Sequence, residues 1–406
     1  MANHTMEYLQ SEAAETGIEM GVLVNCLLLD AINAKASDIH IEPWESTLVV
    51  RVRLNGVLTE LVHLPLDLMD KLSGRFKVMA NLISYQTGLP QEGHASAGPE
   101  LGGVELRISV FPTTRGEKIV VRLFDPSNRS FELSTLGFDD DTLRTLTSLL
   151  TRPSGLMLLT GPTGSGKTTA IYAALAAITQ RQGPAVSIST VEDPVEFNLP
   201  MISQSQINPA QDFTYPKALR SLMRQDPQVI MVGEIRDPET ASIAVQAGLT
   251  GHLVFSTIHS GISAGVYARL INMEIEPFLL ASSIIAVLSL RLIRRNCTYC
   301  METYQPEPGL LRMVPPEIAA ATEFKRSVGC RECLNTGFSG RTAVTELLVA
   351  DEVFRDAVLQ KMPARALQQV AIHQGMQTLW QNGLRRVLAG HTTLEEILRV
   401  IAVDQL

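Results

Sequence analysis

Apolar positions recur at helical spacing over residues 20–34, then alternate with polar ones through 48–54 until Asn55-Gly56 supplies a hairpin turn. These patterns predict a helix followed by a strand that folds back on itself. Helical spacing returns over 66–83, and two further strand-like runs, 104–110 and 118–124, are joined across Pro112-Thr-Thr-Arg-Gly116. Residues 20–126 therefore read as a small α+β domain, preceded by a short segment, 1–19, and followed by a polar, aperiodic linker, 127–138.

Beyond the linker the period changes. Short apolar runs at 156–159, 186–188, 229–232 and 253–256 alternate with helical segments, which predicts βαβ units and a parallel sheet. The fold class expected is α/β, with a RecA-like core over 139–290. The run 278–290 is the most lipid-like stretch, but it has thirteen residues, three of them serine, where a spanning helix needs roughly 20. It is expected to be a buried core helix. Two cysteine pairs interrupt the pattern in a subdomain at 291–345. A C-terminal subdomain follows at 346–406, which from about Asp351 reads as helices, with Gly375, Gly383 and Gly390 as breaks or caps.

A chain of 406 residues with 45% hydrophobic and 19% charged positions is expected to fold into two or three globular domains. Its net charge of -8 gives no electrostatic footprint for nucleic acid, so the expected partners are proteins. The first twenty residues are acidic and lack the apolar run of a secretory leader, which points to the cytoplasm.

Gly161-Pro162-Thr163-Gly164-Ser165-Gly166-Lys167-Thr168 fits the phosphate-loop pattern G-x-x-x-x-G-K-[ST], directly after an apolar strand and before a helical run that starts at Thr169. The glycines let backbone N–H groups curl around a phosphate, Lys167 brings positive charge to the β- and γ-oxygens of ATP, and the Thr168 hydroxyl is a magnesium ligand. ATP hydrolysis also needs a carboxylate that orients or deprotonates water. Glu234, after the apolar run 229–233, is the first choice. Glu192, ending a second strand, is placed to hold magnesium or water. His252 and His259 bracket the strand after Glu234, and either is positioned in sequence to sense the γ-phosphate.

Cys297-Thr-Tyr-Cys300 and Cys330-Arg-Glu-Cys333 are two C-x-x-C knuckles separated by twenty-nine residues. Together they offer four thiolates for a closed, tetrahedral, structural zinc site. The remaining cysteine, Cys26, lies among leucine and valine and reads as packing.

Four stretches identify a resemblance. They are the phosphate loop, Thr190-Val-Glu-Asp-Pro-Val-Glu196, the run Leu222-Met-Arg-Gln-Asp-Pro-Gln-Val-Ile-Met-Val-Gly-Glu-Ile-Arg-Asp237, and Ala247-Gly-Leu-Thr-Gly-His-Leu-Val-Phe-Ser-Thr-Ile-His259. With Ser37-Asp-Ile-His-Ile-Glu-Pro43, the chain resembles the type II secretion and type IV pilus assembly ATPases from about residue 20 onward. The resemblance implies a cytoplasmic homo-hexamer that works beside an inner-membrane platform protein and drives pilin or pseudopilin assembly. It also implies that Arg107 and Arg122 reach the nucleotide from the N-terminal domain, and that Arg220 and Arg224 form a second pair in the core. The tetracysteine is shared with assembly and secretion members rather than retraction motors.

The chain departs from the family pattern in four places: Ser260-Gly-Ile-Ser-Ala264 replaces Thr-Asn-Asp-Ala, Gln228 an aspartate, His94 an arginine and Leu290 a glutamine. A separate N-terminal docking domain is expected to be reduced to about twenty residues. The competing expectations are a RecA-like nucleic-acid translocase and a weakly hydrolysing nucleotide-dependent regulator.

Overall fold

The computed structural model describes residues 4–11, 17–124, 131–321 and 323–401. Of the expected linker 127–138, residues 127–130 lie outside the described residues, as do 1–3 and 12–16 of the short segment 1–19. The chain divides into two compact units, Met1–Arg129 with Cys330–Asn335, and Ser130–Gly329 with Thr336–Leu406.

In the first unit a six-stranded antiparallel sheet is built from β1 (Asp38–Pro43), β2 (Leu48–Leu54), β3 (Val57–Leu64), β4 (Gln91–Ser96), β5 (Glu105–Thr113) and β6 (Gly116–Phe124). Its order is β3-β2-β1-β6-β5-β4. Alternation along β5 and β6 sends Ile108, Val110, Ile119 and Val121 into a core shared with Leu23, Leu27 and Leu28 of the helix Met20–Asn33 and with Leu72 and Phe76 of the helix Met69–Met79. The predicted helix 66–83 is shorter than its periodicity suggested. It opens as a 3-10 turn at Leu66–Leu68 and stops at Met79, before Asn81 adopts a left-handed φ of 56°. Strands β1 and β4 carry too many polar residues to show as strands in sequence.

The opposite face of this sheet is charged. Cross-strand register puts His94, Arg107, Arg122 and Asp38 in one row across β4, β5, β6 and β1.

The second unit holds a seven-stranded sheet of order β15-β12-β7-β11-β10-β8-β9. Its strands are β7 (Gly155–Thr160), β8 (Ile188–Glu192), β9 (Ser203–Gln206), β10 (Val229–Val232), β11 (Leu253–Ile258), β12 (Ile284–Asn296) and β15 (Phe338–Val349). All neighbouring pairs are parallel except β12 with β15. The four expected core strands and their parallel arrangement are all present. Strands β7, β10 and β11 are buried along their whole length, as strands covered on both faces by helices should be.

The run 278–290 is not one helix. The helix Pro277–Ser283 ends where Ile284 enters an extended conformation, and β12 continues to Asn296 between β7 and β15. A continuous apolar run reads the same in a buried helix and a doubly buried strand, and here the branched residues Ile284, Ile285 and Val287 favour the strand. Position 290, the expected edge of the core, is thus an interior residue of this strand. Two short strands, β13 (Met301–Thr303) and β14 (Lys325–Ser327), pair near the cysteines.

Gly375 and Gly390 follow helix ends with left-handed φ of 92° and 73°. Gly383 is no break. It lies inside the helix Leu379–Leu388, where a Cβ would meet Ile397 side-chain atoms at 3.1 Å. Its missing side chain permits close packing of the helix Leu394–Val400.

Candidate functional site

The phosphate loop leaves the C-terminal end of β7 and enters the helix Lys167–Gln182. Gly161, Gly164 and Gly166 take φ of 145°, 75° and 92°, values that admit glycine and strain other residues. A Cβ at Gly161 would also lie 2.5 Å from the Leu290 carbonyl oxygen and 3.1 Å from Arg291 Nη1. The loop is therefore wrapped against β12. Lys167 Nζ donates to the carbonyls of Gly161 and Pro162, each at 2.9 Å. Burial lowers the lysine's pKa, and the Glu234 carboxylate opposes that shift.

Glu234 follows β10, one strand from β11. Thr257 Oγ1 donates to the Gly233 carbonyl at 2.9 Å, and Ile235 N donates to Thr257 O at 2.8 Å, so the turn carrying Glu234 is pinned to β11 from both sides. The carboxylate is largely covered, pairs with Arg236, and lies 4.0 Å from His259 Nε2. At Gly233, where many phosphate-loop enzymes keep an aspartate, a Cβ would sit 2.7 Å from the Tyr215 hydroxyl, so a side chain there would require the tyrosine or the turn to shift. Burial first, then the charges of Glu234 and Asp193, push the Tyr215 phenol far above its ordinary value.

Gly161, Pro162, His259, Ser260, Gly261, Arg291 and Val400 line a cleft of about 450 Å³ beside the loop. Arg291 and the Ser260–Gly261 segment are site residues the sequence reading passed over. The departures from the family pattern at 260–264 and at Leu290 are the sequence features that lie beside them.

His259 and His252 separate. His259 extends from the C-terminal end of β11, the end that carries the phosphate loop in its parallel neighbour β7. His252 precedes the strand, and its carbonyl accepts from Gly155 N at the start of β7. A six-residue strand spans about 20 Å, so His252 stands at the far end of the sheet from the phosphate loop of its own chain. Its Nδ1 lies 3.1 Å from the Ala247 carbonyl, a local contact closing the preceding helix. Of the two histidines expected near the γ-phosphate, His259 lies at the phosphate-loop cleft and His252 does not.

Glu192 is 2% exposed and accepts from Tyr172 Oη, Thr190 Oγ1 and Gln204 Nε2. Three protein donors hold this carboxylate as a strut between β8, β9 and the helix Lys167–Gln182. A direct magnesium contact is thus not its evident role.

Arg107 and Arg122 are cross-strand neighbours, paired with Glu92 at 2.7 Å and Asp38 at 3.0 Å. Arg220 pairs with Glu239 at 2.7 Å on the rim of a separate surface cleft of about 590 Å³, lined also by Met223, Ile243 and Met273. Arg224, exposed, follows the same helix. Neither lines the phosphate-loop cleft.

The Sγ atoms of Cys297, Cys300, Cys330 and Cys333 all lie within 4.8 Å of one another. Cys330 and Cys333 sulfurs are 3.8 Å apart, and a tetrahedral zinc with bonds near 2.3 Å requires a sulfur–sulfur separation of about 3.8 Å. The donor set and its spacing fit zinc. Among the described residues, no helix is long and apolar enough to cross a membrane.

A family model described as type II/IV secretion system protein matches residues 12–399. The chain is 43% identical to the type IV pilus assembly ATPase PilB of Myxococcus xanthus, over 94% of this chain and 68% of that protein. It is 44% identical to the type II secretion system protein HxcR of Pseudomonas aeruginosa, over 93% and 76%. Among solved structures, the pilus retraction motor PilT with bound ADP matches at 25% identity and a TM-score of 0.63, covering 93% of this chain and 96% of that one. DotB of Yersinia pseudotuberculosis matches at 21% identity and a TM-score of 0.70, with 94% of each chain covered, and shares the fold.

A phosphate loop opening a parallel sheet, with an acid and a histidine on the adjacent strand ends, defines a RecA-like ATPase of the secretion and pilus class. The chain belongs to the type II/IV secretion system protein family.

Proposed function

We propose that this ATPase works as a homo-hexameric motor on the cytoplasmic side of the inner membrane, where it drives assembly of pilin-like subunits for type II secretion or pilus extension. The observation that carries the reading is the Glu234–His259 pair at the phosphate-loop end of the sheet. A regulator that only binds nucleotide has no need of a carboxylate held there. The 43–44% identity to assembly and secretion members, against 25% to a retraction motor, and the cysteine cluster that such members are expected to share, favour extension over retraction.

In this reading Gly161–Thr169 hold the triphosphate of ATP through backbone N–H groups, and Lys167 leaves its two carbonyls to neutralise the β- and γ-oxygens. Glu234 orients and deprotonates the attacking water. His259, an imidazole near that water's path, donates to the γ-phosphate. Magnesium, held through Thr168, supplies charge neutralisation at the phosphates. Ser165 Oγ, buried and without a hydrogen-bond partner among the described residues, is a further polar group that fits a ligand in this loop.

Arg107 and Arg122 add guanidinium charge to the transferred phosphoryl group, making hydrolysis depend on domain closure, while Arg220 and Arg224 act across a subunit boundary. Zinc on Cys297, Cys300, Cys330 and Cys333 is structural, since four thiolates leave no open position. An inner-membrane platform protein supplies the membrane attachment.

Complementation of a strain lacking the gene tests the reading. Wild-type protein is expected to restore surface fibres or secretion, whereas Glu234→Gln is expected to bind ATP and restore neither. ATPase activity that rises strongly with single-stranded DNA, with no change in secretion or fibres, would contradict it.

A further inference from the structure

The segment after His259 is gripped by groups to which the chemistry above gives no role. Thr160, the last residue of β7, accepts from Ser260 N at 2.8 Å and donates to Ser260 O at 3.0 Å. Arg291 on β12 donates through Nη2 to Gly261 O at 2.8 Å and through Nη1 to Leu290 O at 2.9 Å. Ser263 donates its backbone N–H to Glu346 Oε1 at 2.9 Å and its hydroxyl to the Glu346 carbonyl at 3.1 Å.

Arg291 stands out among these anchors. It is only 5% exposed, and among the described residues its hydrogen bonds go to carbonyls rather than to a carboxylate. A guanidinium buried this way is costly. Burial lowers its pKa, and the nearby Glu346 charge opposes that shift. Packing alone would be served by an uncharged side chain. What the guanidinium does is connect: one amino group lies against Gly161, the first residue of the phosphate loop, and the other holds Gly261, two residues after His259.

We propose that Arg291 is a positioning residue, which fixes the 260–263 segment against the phosphate loop so that His259 stands opposite Glu234 when nucleotide is bound. The inference rests on the reading that Glu234 and His259 act at the phosphate loop. It assigns no contact between Arg291 and the phosphates. Its effect belongs to turnover, because the segment it holds adjoins His259 and carries none of the main phosphate-binding amides.

The test uses the assembled full chain. Phosphate release at saturating MgATP gives kcat, and a fluorescent ATP analogue gives Kd. Arg291→Gln is expected to lower kcat tenfold or more while Kd stays within about threefold, the signature of an interaction that matters in the transition state. Arg291→Lys, which keeps the charge and one carbonyl bond, should recover part of the rate. Adding His259→Ala to Arg291→Gln should cost no more than about twofold further, because residues acting through one another are not additive. Should Arg291→Gln fail to fold, Thr160→Val frees the same segment from another of its anchors and is expected to show the same loss confined to kcat.

Parallel losses in Kd and kcat would assign Arg291 to shaping the phosphate loop and overturn the proposal. So would wild-type kcat in the variant that folds. A wild type without ATP turnover would instead remove the reading of the site on which the proposal stands.

Discussion

Tyr215 and Gly233 fit together as tip and socket: the phenolic hydroxyl occupies the space in which any side chain at 233 would begin, 2.7 Å from its Cβ position. A tyrosine from the helix Tyr215–Leu222 thus fills the space beside the glycine that precedes Glu234, the proposed general base.

Gly233→Ala should therefore push the turn that carries Glu234. A displacement near 1 Å at a catalytic group costs on the order of a hundredfold, so kcat is expected to fall by roughly ten- to a hundredfold. Removing the hydroxyl should restore much of it. Steady-state phosphate release from Gly233→Ala and from Gly233→Ala with Tyr215→Phe checks this; a double variant as slow as the single one would rule the clash out.

Glu396 gives a pH dependence of stability. Burial pushes its carboxyl pKa up, but hydrogen bonds from Arg399 and Arg294 outweigh burial, and the net shift is downward from 4.5. Because the folded value lies below the unfolded one, the stabilisation is complete above about pH 4.5 and is lost as the pH falls through the folded value. Glu396→Gln is expected to cost about 3 kcal/mol at pH 7, the low end for breaking a buried pair since Arg399 remains half exposed. Urea midpoints across pH 7 to 3 should fall for wild type at the acid end, and the variant should start low and change less.

The four cysteines predict one tightly held zinc per purified chain, measurable by elemental analysis. Cys297→Ser should abolish stoichiometric metal and lower the thermal midpoint by roughly 5–10 °C, as loss of about 3 kcal/mol does in a domain of this size. An unchanged midpoint in metal-free protein would show that the cluster closes by itself.

What the sequence made legible was local. Gly161 to Thr168, the acid after 229–233 and the two cysteine knuckles are contiguous patterns in which each residue type has one job, and the geometry of the phosphate loop and the sulfur cluster follows them. The parallel core strands were equally readable, because apolar runs bounded by breakers change little with context. The rest depended on partners distant in sequence. Ile284–Asn296 is a strand only because β7 and β15 flank it, Arg291 matters only because β12 lies beside the phosphate loop, and His252 and His259 part company because a strand has two ends. The row of His94, Arg107, Arg122 and Asp38 needs the register of four strands, which no single segment specifies.

Glu234 is the residue on which the account turns, and comparing MgATP hydrolysis by assembled wild type and Glu234→Gln tests it most directly. General-base loss costs about 10²- to 10⁴-fold. Phosphate release is expected to fall at least a hundredfold in Glu234→Gln, with nucleotide affinity unchanged. Equal rates in the two proteins would contradict it.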